Sequence, residues 1–527
     1  MIELLVASSP SAPLTPFLVV IGIAALLMLL WDTIEVGRND AANLVNAIFG
    51  ARVLTRRRAV YVAGIGVVLG AAFSSPVMDT ARKGIFDPTM FTSIETVLSI
   101  YVAVYVVDTV ILYGYSAFGM PVSTTACLVF ELLGAAFALG GFGVVSWGKA
   151  GTVIFAIVCS IAITGIAAFF IQRMVRGAVR DRSRNLGVLL AHGGWIGGGM
   201  LAGLTYFMLV KGMKQVAFVK RLNEEVVHAS ETAPLLTVCA LWAGYAVIIH
   251  VVLVTFGKRA AKRLFPALAI IGTIAMAFAF GQNDLANCAS PGVSALHLLR
   301  HRADGLDEAT RAPIAWWALI GCGCLMALGM MTKNAQRVTS AAVHAGSMAH
   351  QVRLWAPNWC IGLAQRLLTL RGRQPVLAPA PQLTSAGKMM HYDVVRACVI
   401  LAVSASVIAT ASGLGLPVST TYVAFAAVVA TGMADRIFQR GDAELKLART
   451  IWVMFSWFAA AVIAAVCAAG VALLVHSAGI IGLVLGIGCN LTVRLFLKRR
   501  ADAQEARVRE AARERRHPEL YAEEYED

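Results

Sequence analysis

Charged side chains are scarce in this chain of 527 residues: Asp, Glu, Lys and Arg together make up only 14% of it. Soluble proteins typically contain about 25% charged and about 45–50% apolar residues. Here 58% of the residues are hydrophobic, and the mean hydropathy is +0.72. The shortage of charge therefore excludes an ordinary water-soluble fold and indicates a membrane protein.

Sequence signals of several other protein classes are also missing. No Gly-x-x-x-x-Gly-Lys-Ser/Thr string occurs, which disfavours transport driven by ATP. The ten cysteines are scattered singly, and neither Cys322 nor Cys324 has a Cys or His partner at zinc-ligand spacing. We therefore predict no metal centre, no cofactor and no enzymatic activity. The segment Met1–Ser9 has no basic residue, so a cleaved signal peptide is not expected.

Long apolar runs take up most of the chain. A helix needs about 20 residues to cross roughly 30 Å of hydrocarbon, and we predict roughly ten to twelve such segments. The fold expected is that of an all-α polytopic membrane protein. The first two runs are short for a complete span and are candidates for half-helices. The clearest runs are Pro16–Leu30, Val60–Ala72, Val97–Tyr115, Thr152–Ile171, Leu235–Phe256, Ile314–Met331, Ala397–Leu416, Ile451–Val475 and Ile480–Phe496.

The formal net charge of +15 lies mostly in loops between the apolar runs, such as Arg56–Arg58, Arg173–Arg184 and Lys258–Arg263. Basic loops beside membrane segments mark the cytoplasmic side of a membrane protein. We therefore predict a multi-pass protein of the cell membrane, which would be the inner membrane in a bacterium. Its surroundings are the lipid bilayer, and no nucleic-acid partner is expected.

Two polar motifs each occur twice, in the same order. Gly-x-Asn-Asp-x-Ala-Asn stands at Gly37–Asn43 and Gly281–Asn287, and Pro-Val-Ser-Thr-Thr stands at Pro121–Thr125 and Pro417–Thr421. We infer two homologous halves, arranged as inverted repeats. The predicted organisation is an N-terminal repeat at 1–185, connecting segments at 186–266, a C-terminal repeat at 267–476 with a polar insertion near 344–391, and a last membrane segment with a charged tail at 477–527.

The chemistry of the motifs predicts a path for ions or solutes, because polar side chains are expensive inside a bilayer. Glycine followed by Asn-Asp favours a break in a helix, and a broken helix can aim the N–H groups of its N-terminus at an anion. Proline suits the first helical turn, and the Ser-Thr-Thr hydroxyl groups can donate to an oxyanion. Asp and Asn oxygens suit a hard cation, so the mixture favours symport. The structural alternative is that Ser and Thr bond only to carbonyl groups of their own helix.

The paired motifs resemble those of the inorganic phosphate transporter (PiT) family. Thr80–Asp87 and Phe455–Phe458 are similar to two further elements of that family, and the resemblance covers roughly 34–175 and 267–475. It implies an inverted-repeat secondary transporter, often a homodimer, that moves phosphate with sodium or protons. The substrate-binding residues that it implies are Asp40, Ser123, Thr124, Thr125, Asp284, Ser419, Thr420 and Thr421. The cation-binding residues that it implies are Asn39, Asn43, Asn283 and Asn287.

This sequence departs from the family pattern at several positions. Arg38 and Gln282 replace the usual small residue after the motif glycine, and Ala126 and Tyr422 replace the usual His after Ser-Thr-Thr. Many members carry a glutamate in the helix after the first motif, whereas no acidic residue occurs at positions 41–78 of this chain.

Two acidic residues, Asp108 and Glu131, stand instead within apolar segments, where charged residues are rare. We predict that they form a charge relay with Arg38 or bind the coupling cation. The alternative is a purely structural pairing with Arg38 or Lys149.

The two motif carboxylates favour phosphate over sulfate. Phosphate keeps at least one O–H at neutral pH, and an ionised Asp40 or Asp284 can accept that hydrogen bond but would repel an oxyanion without a proton. Arg38 would weaken this discrimination if it faced the site. The prediction is a cation-coupled phosphate symporter that works by alternating access at a midplane site. The alternatives are a sulfate or related oxyanion permease of the same fold and a membrane sensor that does not transport.

Overall fold

The computed structural model describes residues 15–213, 216–227, 229–301, 316–348, 352, 354–369, 390–439 and 442–514. These parts of the chain are helical almost throughout, and the β-type pairing within them is limited to an isolated antiparallel bridge between Phe86 and Val145. The prediction of an all-α fold is confirmed.

The helices fall into three groups along the chain. The first half contains α1 (Pro16–Gly50), α2 (Arg56–Ala71), α3 (Ser75–Lys83), α4 (Ile94–Ala117), α5 (Thr124–Gly140) and α6 (Trp147–Val179). The middle contains α7 (Leu186–Leu204) and α8 (Ala217–Leu222), with π-helical segments at Thr205–Gly212 and Asn223–Val227. The second half contains α9 (Ala233–Arg300), α10 (Trp316–Gly329), α11 (Lys333–Ala345), α12 (Asn358–Thr369), α13 (Val394–Gly413), α14 (Thr420–Ala434) and α15 (Ala443–Glu514).

Seven helices among the described residues are long and apolar enough to cross a membrane, and α10 with α11 forms an eighth span if the bent pair is taken together. The predicted number, ten to twelve, is higher partly because α15 contains two of the predicted apolar runs, and because α9 continues well beyond the run Leu235–Phe256. These helices have 68 and 72 residues, and each is interrupted by a glycine with non-helical backbone angles, Gly257 and Gly479. At about 1.5 Å per residue, either helix is roughly three times as long as the hydrocarbon is thick.

Broken or short helices, as predicted, are part of the fold. The axes of α10 and α11 differ by 70° across their break. The helices that follow the two Pro-Val-Ser-Thr-Thr motifs, α5 and α14, have only 17 and 15 residues. Each is too short to cross about 30 Å of hydrocarbon, so its N-terminus lies inside the bundle.

The prediction of a helix break at the Gly-x-Asn-Asp motifs is wrong. α1 continues through Gly37–Asn43, and α9 continues through Gly281–Asn287. The motif glycines instead allow close helix packing: a Cβ on Gly37 would collide with the carbonyl oxygen of Met326 in α10, and one on Gly281 with that of Val67 in α2. Small residues at such contacts are the usual means of bringing membrane helices together.

This packing role predicts a loss of stability in the variant Gly281→Ala. The added methyl group meets backbone atoms of α2, which cannot rotate away, and overpacking of this kind typically costs about 1–3 kcal/mol. Thermal unfolding of the purified protein in detergent should show a lower midpoint. Gly244→Ala is the matched control, because Gly244 lies in the same helix and a methyl group added there would have no atom of another residue within 4 Å. Equal midpoints for both variants would contradict the packing role.

The polar insertion near 344–391 is partly folded onto the bundle. Its helix α12 packs Cys360 and Ala364 against Ala448 of α15. His344 and His391, which flank the insertion, are buried, and their ring centroids are 4.8 Å apart. Residues 370–389 of the insertion lie outside the described residues.

The charged tail begins as a continuation of α15, which runs to Glu514. Asp502 and Glu505 on it form ion pairs with Arg337 of α11. This part of the tail is therefore a helix packed on the second half. The acidic end of the tail lies outside the described residues.

The core lies where α1, α4, α9 and α13 meet, and most residues in the C-terminal parts of α1 and α9 are buried there. The outer helices expose large apolar side chains, for example Phe155 and Phe170 on α6 and Val466 on α15. Such a surface matches lipid tails, which are as apolar as these side chains. The polar motifs lie in the buried centre.

Candidate functional site

Each Gly-x-Asn-Asp motif holds the linker before the short helix of its own half. Asn39 donates from Nδ2 to the carbonyl oxygen of Val122 (2.6 Å), and the Val122 N–H donates back to Asn39 Oδ1 (3.3 Å). Asn283 makes the same pair with Val418, at 2.6 and 3.2 Å. The first asparagine of each motif therefore fixes the position of the Pro-Val linker, and both of its amide atoms are used for this.

The carboxylate of the first half meets a hydroxyl group of the second half. Thr421 donates from Oγ1 to Asp40 Oδ1 at 2.7 Å, and Asn43 donates from Nδ2 to the same oxygen at 2.7 Å. Asn43 also contacts Thr421 Oγ1 at 3.0 Å. Residues about 380 positions apart in the sequence thus form one hydrogen-bonded group.

The carboxylate of the second half likewise meets a hydroxyl group of the first half, but that of the first motif threonine and not the second. Thr124 donates from Oγ1 to Asp284 Oδ1 at 2.9 Å, and Asn287 donates from Nδ2 to that oxygen at 2.7 Å. The Asn287 amide also lies 2.9 Å from Thr125 Oγ1, which in turn donates to the carbonyl oxygen of Val418. The four motifs are therefore brought together as one reciprocal polar cluster.

The cluster lies at the N-termini of α5 and α14, and a serine caps each helix. Ser123 Oγ accepts from the Ala126 N–H at 3.0 Å, and Ser419 Oγ accepts from the Tyr422 N–H at 3.1 Å. The prediction that proline stands in the first helical turn is wrong, because serine is the better N-cap and the prolines lie in the extended linkers before it. The first turns contain threonines that are about 1% exposed, namely Thr124, Thr125, Thr420 and Thr421.

Several polar atoms of the cluster lack a hydrogen-bond partner among the described residues. They are Oδ2 of Asp40, Oδ2 of Asp284, Oδ1 of Asn287 and Oγ1 of Thr420. Both carboxylates are 0% exposed, and they act on each other electrostatically. Buried carboxylate oxygens of this kind are stable only beside a cation, a proton or a hydrogen-bond donor. The cluster can therefore bind a cation together with an anion that carries its own O–H.

Arg38 points away from this cluster. Its guanidinium group contacts both carboxylate oxygens of Glu35, at 2.8 and 2.7 Å, and Thr332 Oγ1 at 3.2 Å. Arg494 donates to Glu35 as well, at 2.6 Å. The guanidinium of Arg38 is thus engaged by an acid one turn earlier on α1, and it does not add positive charge to the site.

Asp108 and Glu131 lie beside the cluster without joining it. Both are buried, and each acts electrostatically on Asp32, a third buried acid. Asp32 and Glu35 were not predicted, although both stand between the apolar run Pro16–Leu30 and the first motif. The rarity of acids in membrane segments is the signal that would have found them. Within the described residues, no group of three or more His, Cys, Asp or Glu side chains could hold a metal ion.

The two further family-like elements hold the linkers of the site. Trp457 donates from its indole N–H to the carbonyl oxygen of Pro121 at 3.1 Å, and Thr80 donates to that of Gly415 at 2.6 Å. Each element thus contacts the linker of the opposite half. Tyr422, which stands where the family usually has His, stacks on Trp457 with ring centroids 4.0 Å apart.

Comparison with known proteins gives consistent matches. Residues 36–342 and 383–487 match the model of the phosphate transporter family. A protein of Thermococcus kodakarensis named "Putative phosphate permease" is 25% identical over 442 residues, which cover 82% of this chain and 92% of the relative. A protein of the same name in Haemophilus influenzae is 23% identical over 427 residues, 80% of this chain and 89% of the relative.

A solved structure described as "The sodium-dependent phosphate transporter" has the same fold, with a TM-score of 0.61 at 20% identity. The match covers 86% of this chain and 99% of that chain. The prediction of a multi-pass membrane protein that is not an enzyme is confirmed by the family assignment. Since the family model spans most of the sequence and includes all four motifs, this chain belongs to the phosphate transporter family.

Proposed function

We propose that this chain is a secondary transporter that carries inorganic phosphate across a cell membrane together with a cation. The observation that carries this proposal is the reciprocal cluster, in which Asp40 and Asp284 each keep one buried oxygen without a partner among the described residues. Phosphate supplies the missing O–H donor to such an oxygen, whereas sulfate has none at neutral pH. The contact of Arg38 with Glu35 further favours phosphate. Because Arg38 is turned away from the site, its positive charge does not weaken the discrimination against sulfate.

The proposed division of labour follows the chemistry of the groups. The hydroxyl groups of Ser123–Thr125 and Ser419–Thr421, with the N–H groups of two helix N-termini, hold the anion, and the two aspartates accept its proton. Of the four asparagines that the sequence suggested as cation ligands, we propose Asn43 and Asn287, because the amide groups of Asn39 and Asn283 are already engaged by the linkers. Asn287 Oδ1, buried and without a partner among the described residues, supports this assignment. The coupling cation is sodium or a proton, and the sodium dependence named for the structural neighbour supports sodium.

Counterflow of labelled phosphate in proteoliposomes tests the proposal. We expect labelled phosphate to enter vesicles preloaded with unlabelled phosphate, and unlabelled sulfate in excess should leave this entry unchanged. Sodium and proton gradients imposed separately then identify the coupling cation. A membrane sensor would show no counterflow, and equal competition by sulfate would favour a general oxyanion permease.

We further propose that the two halves are inverted repeats and that transport proceeds by alternating access. The reciprocal contacts of Asp40 with Thr421 and of Asp284 with Thr124 support this, since each half completes the other's site. We place the protein in the cell membrane, as a homodimer.

Inverted repeats predict opposite accessibility of the two serine caps. Ser123→Cys and Ser419→Cys, each in a chain whose native cysteines are replaced, should react with an impermeant thiol reagent from opposite access states. Asp181→Cys in the same background is the control, because Asp181 lies in the loop between α6 and α7 and its side chain is 90% exposed. Labelling of both caps from the same side in every state would contradict the inversion.

A further inference from the structure

Three buried acids form a second polar group next to the phosphate site. Asp32 of α1, Asp108 of α4 and Glu131 of α5 are 1%, 2% and 0% exposed. The carboxyl groups of Asp32 and Asp108 are close enough to form a hydrogen bond if they share a proton, and Oδ1 of each has no partner among the described residues. We call these three residues the acidic cluster.

Glu131 supplies an independent observation, because it approaches from a different helix. Neither of its carboxyl oxygens has a hydrogen-bond partner among the described residues, and it interacts electrostatically with both Asp32 and Asp108. An ionised carboxylate without any donor is not stable at such a position inside a membrane. Glu131 therefore needs a ligand of positive charge, and the smallest is a proton.

The charged groups around the acidic cluster do not provide that ligand. Arg38 and Arg494 both bind Glu35, which is 0% exposed and lies one turn from Asp32, and Arg494 also acts electrostatically on Asp32. The other titratable groups that interact with the cluster are Asp40, which acts on Asp108, and the neutral side chains of Tyr105, Cys127, Cys288 and Cys467. No ion pair of the described residues reaches Glu131.

The acidic cluster is present in one half of the protein and absent from the other. The motif aspartates (40 and 284) and the motif prolines (121 and 417) set the correspondence between the halves. By this correspondence the second half has Met276, Ser404 and Ala427 at the positions of Asp32, Asp108 and Glu131. The phosphate site is built from both halves alike, so the acids are not needed to build it. The presence of the three acids in only one half indicates a function separate from building the phosphate site.

The acidic cluster is connected to the phosphate site by two rigid helices. Asp32 precedes Asp40 by eight residues on α1, and Glu131 follows Thr124 by seven residues on α5. Both spacings are close to two helical turns, or roughly 11 Å. A change of charge at the cluster therefore acts on the helices that carry a phosphate-binding carboxylate and a phosphate-binding hydroxyl group.

We propose that the acidic cluster is the binding site of a coupling proton, and that Glu131 is the group that gains and loses it. This inference rests on the proposed phosphate transport. Glu131 holds the proton while the two halves of the protein are closed around the acidic cluster. Glu131 releases the proton when its helix moves and water reaches the carboxyl group. One proton then crosses with each transport cycle.

Two assays on the full-length protein in liposomes without sodium test this proposal. Counterflow of labelled phosphate at equal pH measures exchange, and accumulation under an inside-alkaline gradient measures proton coupling. Because glutamine is a neutral copy of the protonated acid, we expect Glu131→Gln to exchange phosphate but to accumulate it no better than empty liposomes. Glu131→Asp should restore accumulation in part. Glu95→Gln is the matched control, since Glu95 is on α4 but outside the cluster.

The outcomes separate this proposal from the transport function. Accumulation by Glu131→Gln at the wild-type level would overturn the proton site, and so would a wild-type protein that exchanges phosphate but does not respond to the pH gradient. Counterflow by the wild type only when sodium is added would overturn the proton site, and absence of counterflow with sodium present as well would overturn phosphate transport itself. If Glu131→Gln loses exchange as well, infrared difference spectra decide. Phosphate should then change a carboxylic-acid band of the wild type that is shifted in Glu131→Asp, and an absent or unshifted band would overturn the proposal.

Discussion

Phosphate uptake should be lost when either Asp40 or Asp284 is replaced by asparagine, while the protein stays folded. The substitution preserves shape, and the remaining amide oxygen can still accept from Thr421 or from Thr124. It removes the charge, however, and replaces the unpartnered Oδ2 by an NH2 donor that repels the phosphate O–H. A lost hydrogen bond to a charged group costs about 1.5–3 kcal/mol, and a donor facing a donor adds to this.

Uptake of labelled phosphate into proteoliposomes, with size-exclusion profiles in detergent, measures both parts of this prediction. Asp181→Asn is the matched control, because the Asp181 side chain is 90% exposed and the chemical change is the same. Since the two halves contribute reciprocally to the site, both variants should lose phosphate uptake to a similar degree. Wild-type uptake in either one, or an aggregated protein in both, would contradict the assignment of these carboxylates.

Thr124→Val and Thr420→Val should weaken phosphate binding and leave the cation dependence almost unchanged. Valine has nearly the shape of threonine, so the first turns of α5 and α14 should remain intact. Loss of one hydroxyl donor to a charged ligand corresponds to roughly 1.5–3 kcal/mol, or about ten- to a hundredfold in the apparent phosphate constant. Uptake measured against phosphate and against the coupling cation separates the two effects.

The control for the threonine variants is Thr152→Val. Thr152 is exposed on α6 and its hydroxyl group donates only to a carbonyl oxygen of its own helix. A shift in the cation constant with an unchanged phosphate constant would reverse the division of labour proposed for the hydroxyl groups and the asparagines.

The sequence predicted the residues of the site better than their local backbone. The hydroxyl, amide and carboxylate groups of the four motifs do meet, as their duplication in the same order indicated. The helix break expected at Gly37 and Gly281 does not occur. Glycine is common both at helix breaks and at close helix contacts, so the residue type alone does not distinguish the two. Which of the two applies depends on the backbone that packs against the glycine. This is Met326 for Gly37 and Val67 for Gly281, and each is far away in the sequence.

Arg38 illustrates the same limit for a charged residue. Its position after the motif glycine suggested a place in the site or a partner in Asp108, whereas it contacts Glu35 three residues earlier. An i, i+3 pair on one helix is readable from sequence once the helix is known to continue. The expected break in α1 would have separated the two side chains, so the error about the backbone caused the error about the partner.

The sequence by itself determined the membrane class, the twofold repetition and the polar residues of the site, because composition and repeated motifs are local properties of the chain. Only the tertiary structure decided which half completes which site. The contacts that decide this join segments 160 or more residues apart: Thr421 with Asp40, Thr124 with Asp284, and Trp457 with the Pro121 linker. The acidic cluster likewise exists only because three helices place Asp32, Asp108 and Glu131 together. Such contacts follow from how helices pack against one another, and no spacing along a single helix contains that information.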